Sequence, residues 1–236
     1  MKTLRFFSLA FLLVFSGANS LFAQWVQANG PYGGQINCLA VSGANLLAGT
    51  YGGVFLSADN GVSWTAVNNG FANISVRCLA VSGANLFAGT YGGGVFLSTD
   101  NGASWTAVNN GLTNTSIRCL AVSGGNLFSG TDGGGIFLSA DNGAGWIAVN
   151  NGLTNTDVYA LAVSGAYLYA GTRGGGVFLS TDNGAVWTAV NNGLTNTYVR
   201  CLAVSGANLF AGTSEGGGAP FLQPTTAQTG PLSMTA

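Results

Sequence analysis

The feature that most constrains this chain is an internal repeat. When the sequence is aligned with itself, five segments fall into register, and one column recurs at intervals of 40 or 41 residues. That column holds Cys38, Cys78, Cys119, Ala160 and Cys201. A repeat of this length does not bury its hydrophobic face alone, so its copies must stack on one another. The fold is therefore expected to be an array of similar units.

Each copy predicts four short β-strands. The copy from Ile117 to Val149 contains four apolar segments separated by clusters of Gly, Asn and Asp, with Asn142-Gly143 as a hairpin signal between the third and fourth. The segments are apolar at nearly every position, which indicates burial on both faces. Four strands in a repeat of about 40 to 45 residues are typical of a propeller blade. We therefore expect an all-β propeller of four-stranded antiparallel blades.

In four copies the pattern Ser-x-Asp-x-Gly-x-x-Trp joins the third and fourth strands. This pattern resembles the Asp-box, or BNR repeat, of sialidase-like, sortilin-like and photosystem-assembly-factor-like propellers. The resemblance covers about residues 36–218. It implies the fold but not one activity, because that family includes enzymes, receptors and assembly factors. Its structural residues are Asp59, Gly61, Trp64, Asp100, Gly102, Trp105, Asp141, Gly143, Trp146, Asp182, Gly184 and Trp187.

The residue types of this pattern suit a hairpin that stabilises itself. The Asp accepts backbone N–H bonds within its own turn, the Gly adopts a positive φ, and the Trp covers the hairpin with apolar surface. A calcium site would need several oxygen ligands to converge, whereas each turn offers one carboxylate and the next lies a blade away. We therefore expect no metal and no cofactor here.

Composition excludes several functions. Charged residues make up only 6% of the chain, so there is no basic surface for a nucleic acid. The absence of His rules out His-ligated zinc, nucleophiles activated by His and a His general base. An enzyme is therefore not favoured.

The first 23 residues have the pattern of a signal peptide. Lys2 and Arg5 precede an apolar run that is too short to span a membrane, and small residues follow it. Cleavage after Ser20 or after Ala23 fits, and Ala23 is favoured because a repeat segment begins just beyond it. The mature chain would carry four Arg against seven acidic residues, a net charge of −3. We expect a protein that is secreted, at the cell surface or periplasmic, with no transmembrane segment.

Residues 24–218 form the expected propeller, and residues 219–236 form an aberrant tail. The segment from Trp25 to Gly30 aligns with a fourth strand, so five blades are expected, with this strand completing the last blade and closing the ring. The tail contains no repeat as written, although its codons in a shifted frame permit another Asp-box; in that case the chain is truncated from a larger ring, and its own ring is open or strained. We expect residues 219–236 to be poorly packed. The four Cys are expected to be free, buried thiols, because adjacent sheets lie too far apart for disulfides.

The copies differ from one another mainly in two loops. One joins the second and third strands, and the other precedes the first strand, where Ser75, Ser116, Asp157 and Tyr198 stand. Both loops are expected at one face, near an Arg column formed by Arg77, Arg118 and Arg200. One interpretation is that this Arg merely solvates a strand end; the other is ligand binding. The candidate ligand-binding residues are Tyr91, Arg118, Asp132, Tyr159, Arg173 and Arg200.

Three functions remain open at this point. The first is an exported, non-catalytic module that binds a glycan or an extracellular protein, because Tyr and Arg suit sugars and carboxylates. The second is a sialidase-like glycoside hydrolase or its remnant, although Asp132, Asp157 and Glu215 are the only acids outside the Asp-boxes. The third is a purely structural spacer.

Overall fold

The computed structural model describes residues 27–32, 34–71, 75–214 and 220–224. The described residues form strands arranged in five antiparallel sheets. Blade 1 contains β1 (Ile36–Ser42), β2 (Asn45–Thr50), β3 (Gly53–Ser57) and β4 (Thr65–Ala66). Blade 2 contains β5 (Val76–Ser82), β6 (Asn85–Thr90), β7 (Gly94–Ser98) and β8 (Thr106–Ala107). Blade 3 contains β9 (Ile117–Ser123), β10 (Asn126–Thr131), β11 (Ile136–Ser139) and β12 (Ile147–Ala148). Blade 4 contains β13 (Val158–Ser164), β14 (Tyr167–Thr172), β15 (Gly176–Ser180) and β16 (Thr188–Ala189). Blade 5 contains β17 (Val199–Ser205), β18 (Asn208–Thr213) and β19 (Phe221–Pro224).

The all-β class, the antiparallel four-stranded blades and the count of about five are confirmed, with only three described strands in blade 5. The second strands are buried on both faces, as their continuous apolar sequence predicts. Their side chains form four clusters in the described chain, each combining residues of two successive blades. The core therefore lies between the blades rather than inside any one of them.

Glycines in the second strands let the blades pack closely. A Cβ on Gly89 would lie 2.5 Å from Ile117 of the next blade and would overlap the Sγ atom of Cys78. Gly49 and Gly130 are placed in the same way. The Cys column and the facing Gly are therefore complementary in shape.

All four cysteines are free, as predicted. Burial raises the pKa of the Cys119 thiol to about 12 and that of Cys38 to about 11. Cys38, Cys78 and Cys119 are half-buried, and Cys201 departs from the predicted burial, because it lies on β17, whose outer face is exposed.

The stack of blades is open. The first strands pack in series, β1 on β5, β5 on β9, β9 on β13 and β13 on β17. Within the described residues, β1 and β17 make no comparable contact. The predicted closure of a five-bladed ring is therefore not observed, because the four stacking steps between the five blades do not bring β17 back to β1.

The two ends of the chain differ from the sequence expectation in detail. Residues 27–30 form no strand, and Trp25 lies outside the described residues. Residues 221–224, which the sequence places in the aberrant tail, pair with β18 as a third strand. Phe221 packs against the cluster between blades 4 and 5. The rest of the tail and the predicted signal peptide lie outside the described residues.

Candidate functional site

The two loops in which the copies differ lie at one end of the blades. Tyr91, after the second strand of blade 2, forms an isolated bridge with Ser116, which precedes blade 3. Arg173 of blade 4 forms the same bridge with Tyr198 before blade 5. The two kinds of loop thus lie at one face, as predicted, and the bridges join them directly; we call this end the variable face.

The Arg column stands at a β-bulge. In the first strand of every blade the pairing register shifts at one residue, so that this residue has no partner of its own on the second strand. A bulge redirects a side chain out of the regular pleat. The residues at the bulge are Asn37, Arg77, Arg118, Tyr159 and Arg200.

Two tyrosines form the centre of the variable face. The rings of Tyr159 and Tyr198 lie 5.9 Å apart between centroids. Arg118 lies 4.5 Å over the ring of Tyr159, and Arg173 lies 5.3 Å over the ring of Tyr198. Arg200 contacts both rings, at 5.2 Å and 4.9 Å. Three guanidinium groups from blades 3, 4 and 5 therefore surround one aromatic pair.

Two carboxylates accompany these cations. Arg118 donates to Asp132 at 2.5 Å, and Arg173 lies 3.8 Å from Asp157. Burial, followed by a hydrogen bond with the Asp132 carboxyl, raises the pKa of Asp157. Burial also raises the pKa of Tyr159. Among the described residues, Arg200 has no ion pair.

The structure brings together five of the six candidate residues. The sixth, Tyr91, packs under Arg77 at 4.3 Å instead. Asp157 and Tyr198 belong to the group but were not among the candidates, although both stand at positions where the copies differ. We call the group the Arg–Tyr cluster; it consists of Arg118, Asp132, Asp157, Tyr159, Arg173, Tyr198 and Arg200.

The Ser-x-Asp-x-Gly-x-x-Trp hairpins have the self-contained geometry that their residue types suggest. In the first, Asp59 accepts bonds from the Ser57 hydroxyl at 2.8 Å and the Ser63 amide at 2.9 Å, and Gly61 donates to Ser57 at 2.8 Å. The Ser63 hydroxyl donates to the second carboxylate oxygen at 2.6 Å. These bonds, chiefly those from Ser63, lower the pKa of Asp59 to about 2.

In three of the four hairpins the Trp joins its blade to the preceding one. Trp105 is 3% exposed, and its Nε1 donates to the Val67 carbonyl of blade 1 at 2.9 Å. Trp146 and Trp187 are buried and bonded in the same way. Trp64 is half-buried, and its Nε1 has no partner in the described chain.

The described residues contain no cluster of His, Cys, Asp or Glu that would hold a metal ion. Nor do they include a helix long and apolar enough to cross a membrane.

No protein-family model and no curated protein sequence matches the chain. Solved structures do. A GH74 enzyme of Niastella koreensis is 24% identical, with a TM-score of 0.57, over 81% of this chain and 31% of that one. The extracellular domain of the putative hybrid two-component system BT3049 of B. thetaiotaomicron is 17% identical, with a TM-score of 0.67, over 87% of this chain and 29% of that one. The protein YCF48 bound to a D1 peptide is 16% identical, with a TM-score of 0.60, over 77% and 61%.

These similarities establish the fold: the chain is an all-β propeller of antiparallel blades. It spans about a third of the length of the GH74 enzyme that it matches. At these identities the comparison shows architecture alone.

Proposed function

We propose that this chain is an exported Asp-box propeller that binds a carboxylate-bearing ligand, on a glycan or on an extracellular protein, through the Arg–Tyr cluster. The observation that carries this proposal is the placement of Arg200 and Arg173 on the Tyr159–Tyr198 pair. Stacking on the rings orients each guanidinium, and Arg200, which has no ion pair among the described residues, can bind a carboxylate in a fork.

Arg200 is the cation best suited to a ligand. In blade 3 the corresponding Arg118 is already paired with Asp132. In blade 5 the position equivalent to Asp132 is Ser214. The Asp132 amide donates to the carbonyl of Ser116 just before blade 3, and the Ser214 amide donates to the carbonyl of Tyr198 just before blade 5. Arg200 is also exposed, and Arg173 is half-exposed at 52%. An incoming carboxylate would therefore meet two guanidinium groups beside an aromatic surface.

Three further observations support the wider assignment. The leader pattern of the first 23 residues favours export. The hairpin at residues 57–64 and its three copies have the residues and the hydrogen bonds of an Asp-box. The YCF48 propeller has been solved with a D1 peptide bound. A peptide is therefore a reasonable class of ligand for this propeller fold.

The test is a parallel screen of the mature protein on sialylated, uronate-bearing and neutral glycans and on acidic and charge-reversed peptides. We expect capture of one carboxylate-bearing class. Replacing both Arg173 and Arg200 by Ala should weaken this capture at least a hundredfold, because each replacement removes a hydrogen bond to a charged group, and one such bond contributes about 1.5–3 kcal/mol. Arg77→Ala is the matched control, since Arg77 stands in the same column but outside the cluster. Unchanged affinity in the double variant would remove this face from consideration.

One observation favours a second candidate, a glycoside hydrolase. Asp157 has a raised pKa, as a general acid requires, and it lies beside Tyr159 and two Arg. However, part of this increase in the pKa of Asp157 comes from the neighbouring Asp132 carboxyl, whereas paired glycosidase carboxyls stand about 5 Å or more apart. Turnover of fluorogenic sialosides or glucans that disappears in Asp157→Asn would establish the hydrolase. A spacer would give neither turnover nor capture.

A further inference from the structure

A cavity of about 210 Å³ separates blades 4 and 5 at the outer edge of the stack. Its walls are largely apolar and include Val190, Leu194, Leu209, Ala211, Phe221 and Leu222. Val190 and Leu194 follow the last strand of blade 4, and the other four residues belong to blade 5.

The repeat identifies what this cavity lacks. In the three preceding interfaces the Trp Nε1 donates to the carbonyl of Val67, Val108 or Val149. The Trp amides donate to the carbonyls of Asn69, Asn110 and Asn151. The next members of these two series are Val190 and Asn192, and both line the cavity. The cavity is thus the position at which a hairpin Trp packs in the other interfaces.

A glycine series leads to the same conclusion. A Cβ built on Gly70, Gly111 or Gly152 would overlap the carbonyl oxygen of the facing Trp. Gly193 is the next in this series, and a Cβ there would meet nothing within 4 Å among the described residues. The backbone of blade 4 is therefore shaped for a Trp hairpin that the described part of blade 5 does not supply.

The complementary surface lies at the opposite end of the stack. On β1, Leu39 and Val41 are 66% and 65% exposed, whereas Leu79 and Val81, their counterparts on β5, are half-buried beneath a neighbouring blade. Trp25 aligns with the Trp column and precedes Ala28, which lies close to Gly61 of blade 1. This end therefore presents an uncovered blade face, and the sequence carries, three residues before Ala28, the Trp that the described part of blade 5 lacks.

We propose that the Trp25 segment of a second copy of this chain enters the cavity between blades 4 and 5, so that copies associate head to tail. The same chain is a poor donor. Ala28 lies against blade 1, and three extended residues span only about 10 Å. Blade 1 does not pack on its own blade 5 within the described residues. A second copy would place blade 1 on blade 5 by the contact that already joins β13 to β17, and such a heterologous contact propagates.

The test uses three single variants of the mature protein, one that lacks the inserted residue and two that alter the cavity. Trp25→Ala removes the inserted residue and leaves the cavity intact. Ala211→Phe fills the cavity and leaves Trp25 intact, and Leu222→Arg is the second cavity variant, because Leu222 is 60% exposed and its replacement spares the core. We expect wild-type protein to sediment as a concentration-dependent assembly and each variant to sediment as a single copy. An equimolar mixture of Trp25→Ala with either cavity variant should form a dimer, whereas the double variant should not.

Two results would overturn the proposal. One is a single-copy wild-type protein in which Trp25→Ala alters only thermal stability, since that shows insertion into the same chain. The other is an assembly that survives both Trp25→Ala and Leu222→Arg, since another surface then joins the copies. Alkylation of Cys201 gives a second readout, because β17 would be covered in the assembly and its thiol should react at least tenfold more slowly there than in Trp25→Ala.

Discussion

At the scale of single residues, the four hairpins differ by one hydroxyl group. Ser63 and Ser104 each donate a side-chain bond to the Asp four residues earlier, whereas Gly145 and Val186 provide only their amides. The pKa of Asp59 and of Asp100 accordingly falls to about 2, with the bonds from Ser63 and Ser104 as the largest cause. A Ser at this position therefore strengthens the preference for the ionised carboxylate.

This difference predicts how acid affects stability. Because the pKa of these carboxyls is lower in the folded chain than in the unfolded chain, their contribution is present above about pH 4 and is lost as pH falls toward 2. The melting temperature should therefore decrease over that range. The Asp100→Asn variant should have a lower melting temperature than wild type at pH 7, and its melting temperature should decrease less on acidification. Calorimetry over a range of pH measures both. A variant with the same acid dependence as wild type would contradict this role of Asp100.

At the scale of elements, the fourth strands are only two residues long because an Asn side chain continues their pairing. The Oδ1 atom of Asn150 accepts from the Ile136 amide at 2.7 Å, and its Nδ2 donates to the Gly134 carbonyl at 3.2 Å. Asn68, Asn109 and Asn191 hold the third strands of their own blades in the same way. In blades 1 to 4, therefore, one Asn side-chain amide continues the hydrogen bonding of the third strand beyond the end of the fourth.

Removing this amide should destabilise one blade. Asn150→Ala leaves a partly buried amide of β11 without its partner, so the free energy of unfolding should fall by about 1–3 kcal/mol. The exposed neighbour Asn151 is the matched control, and Asn151→Ala should change the free energy of unfolding by less than about 0.5 kcal/mol. Denaturant unfolding of both variants makes the comparison. Equal losses in the two would show that the amide bonds of Asn150 do not hold the strand.

At the scale of the whole molecule, the sequence predicts more of the repeat than of its assembly. The four-stranded unit, the Trp hairpin and the shared end of the two variable loops all follow from residue patterns within one copy. The β-bulge at Arg118 depends on pairing with the next strand, and no residue type marks it. The approach of Tyr198 to Tyr159, the exposure of Cys201 and the open arc depend on the angle between blades, which is set by side-chain packing across four interfaces.

We infer that the two ends of the blades have different roles: the Trp hairpins hold the blades together, and the Arg–Tyr cluster is available to a ligand. The most direct measurement is the free energy of unfolding of Trp105→Ala beside that of Arg200→Ala. Trp105→Ala should lose about 3–5 kcal/mol, because it empties a packed site between blades 1 and 2. Arg200→Ala should change the free energy of unfolding by less than about 0.5 kcal/mol. Equal destabilisation by the two would contradict the account, since it would make the Arg–Tyr cluster a structural element.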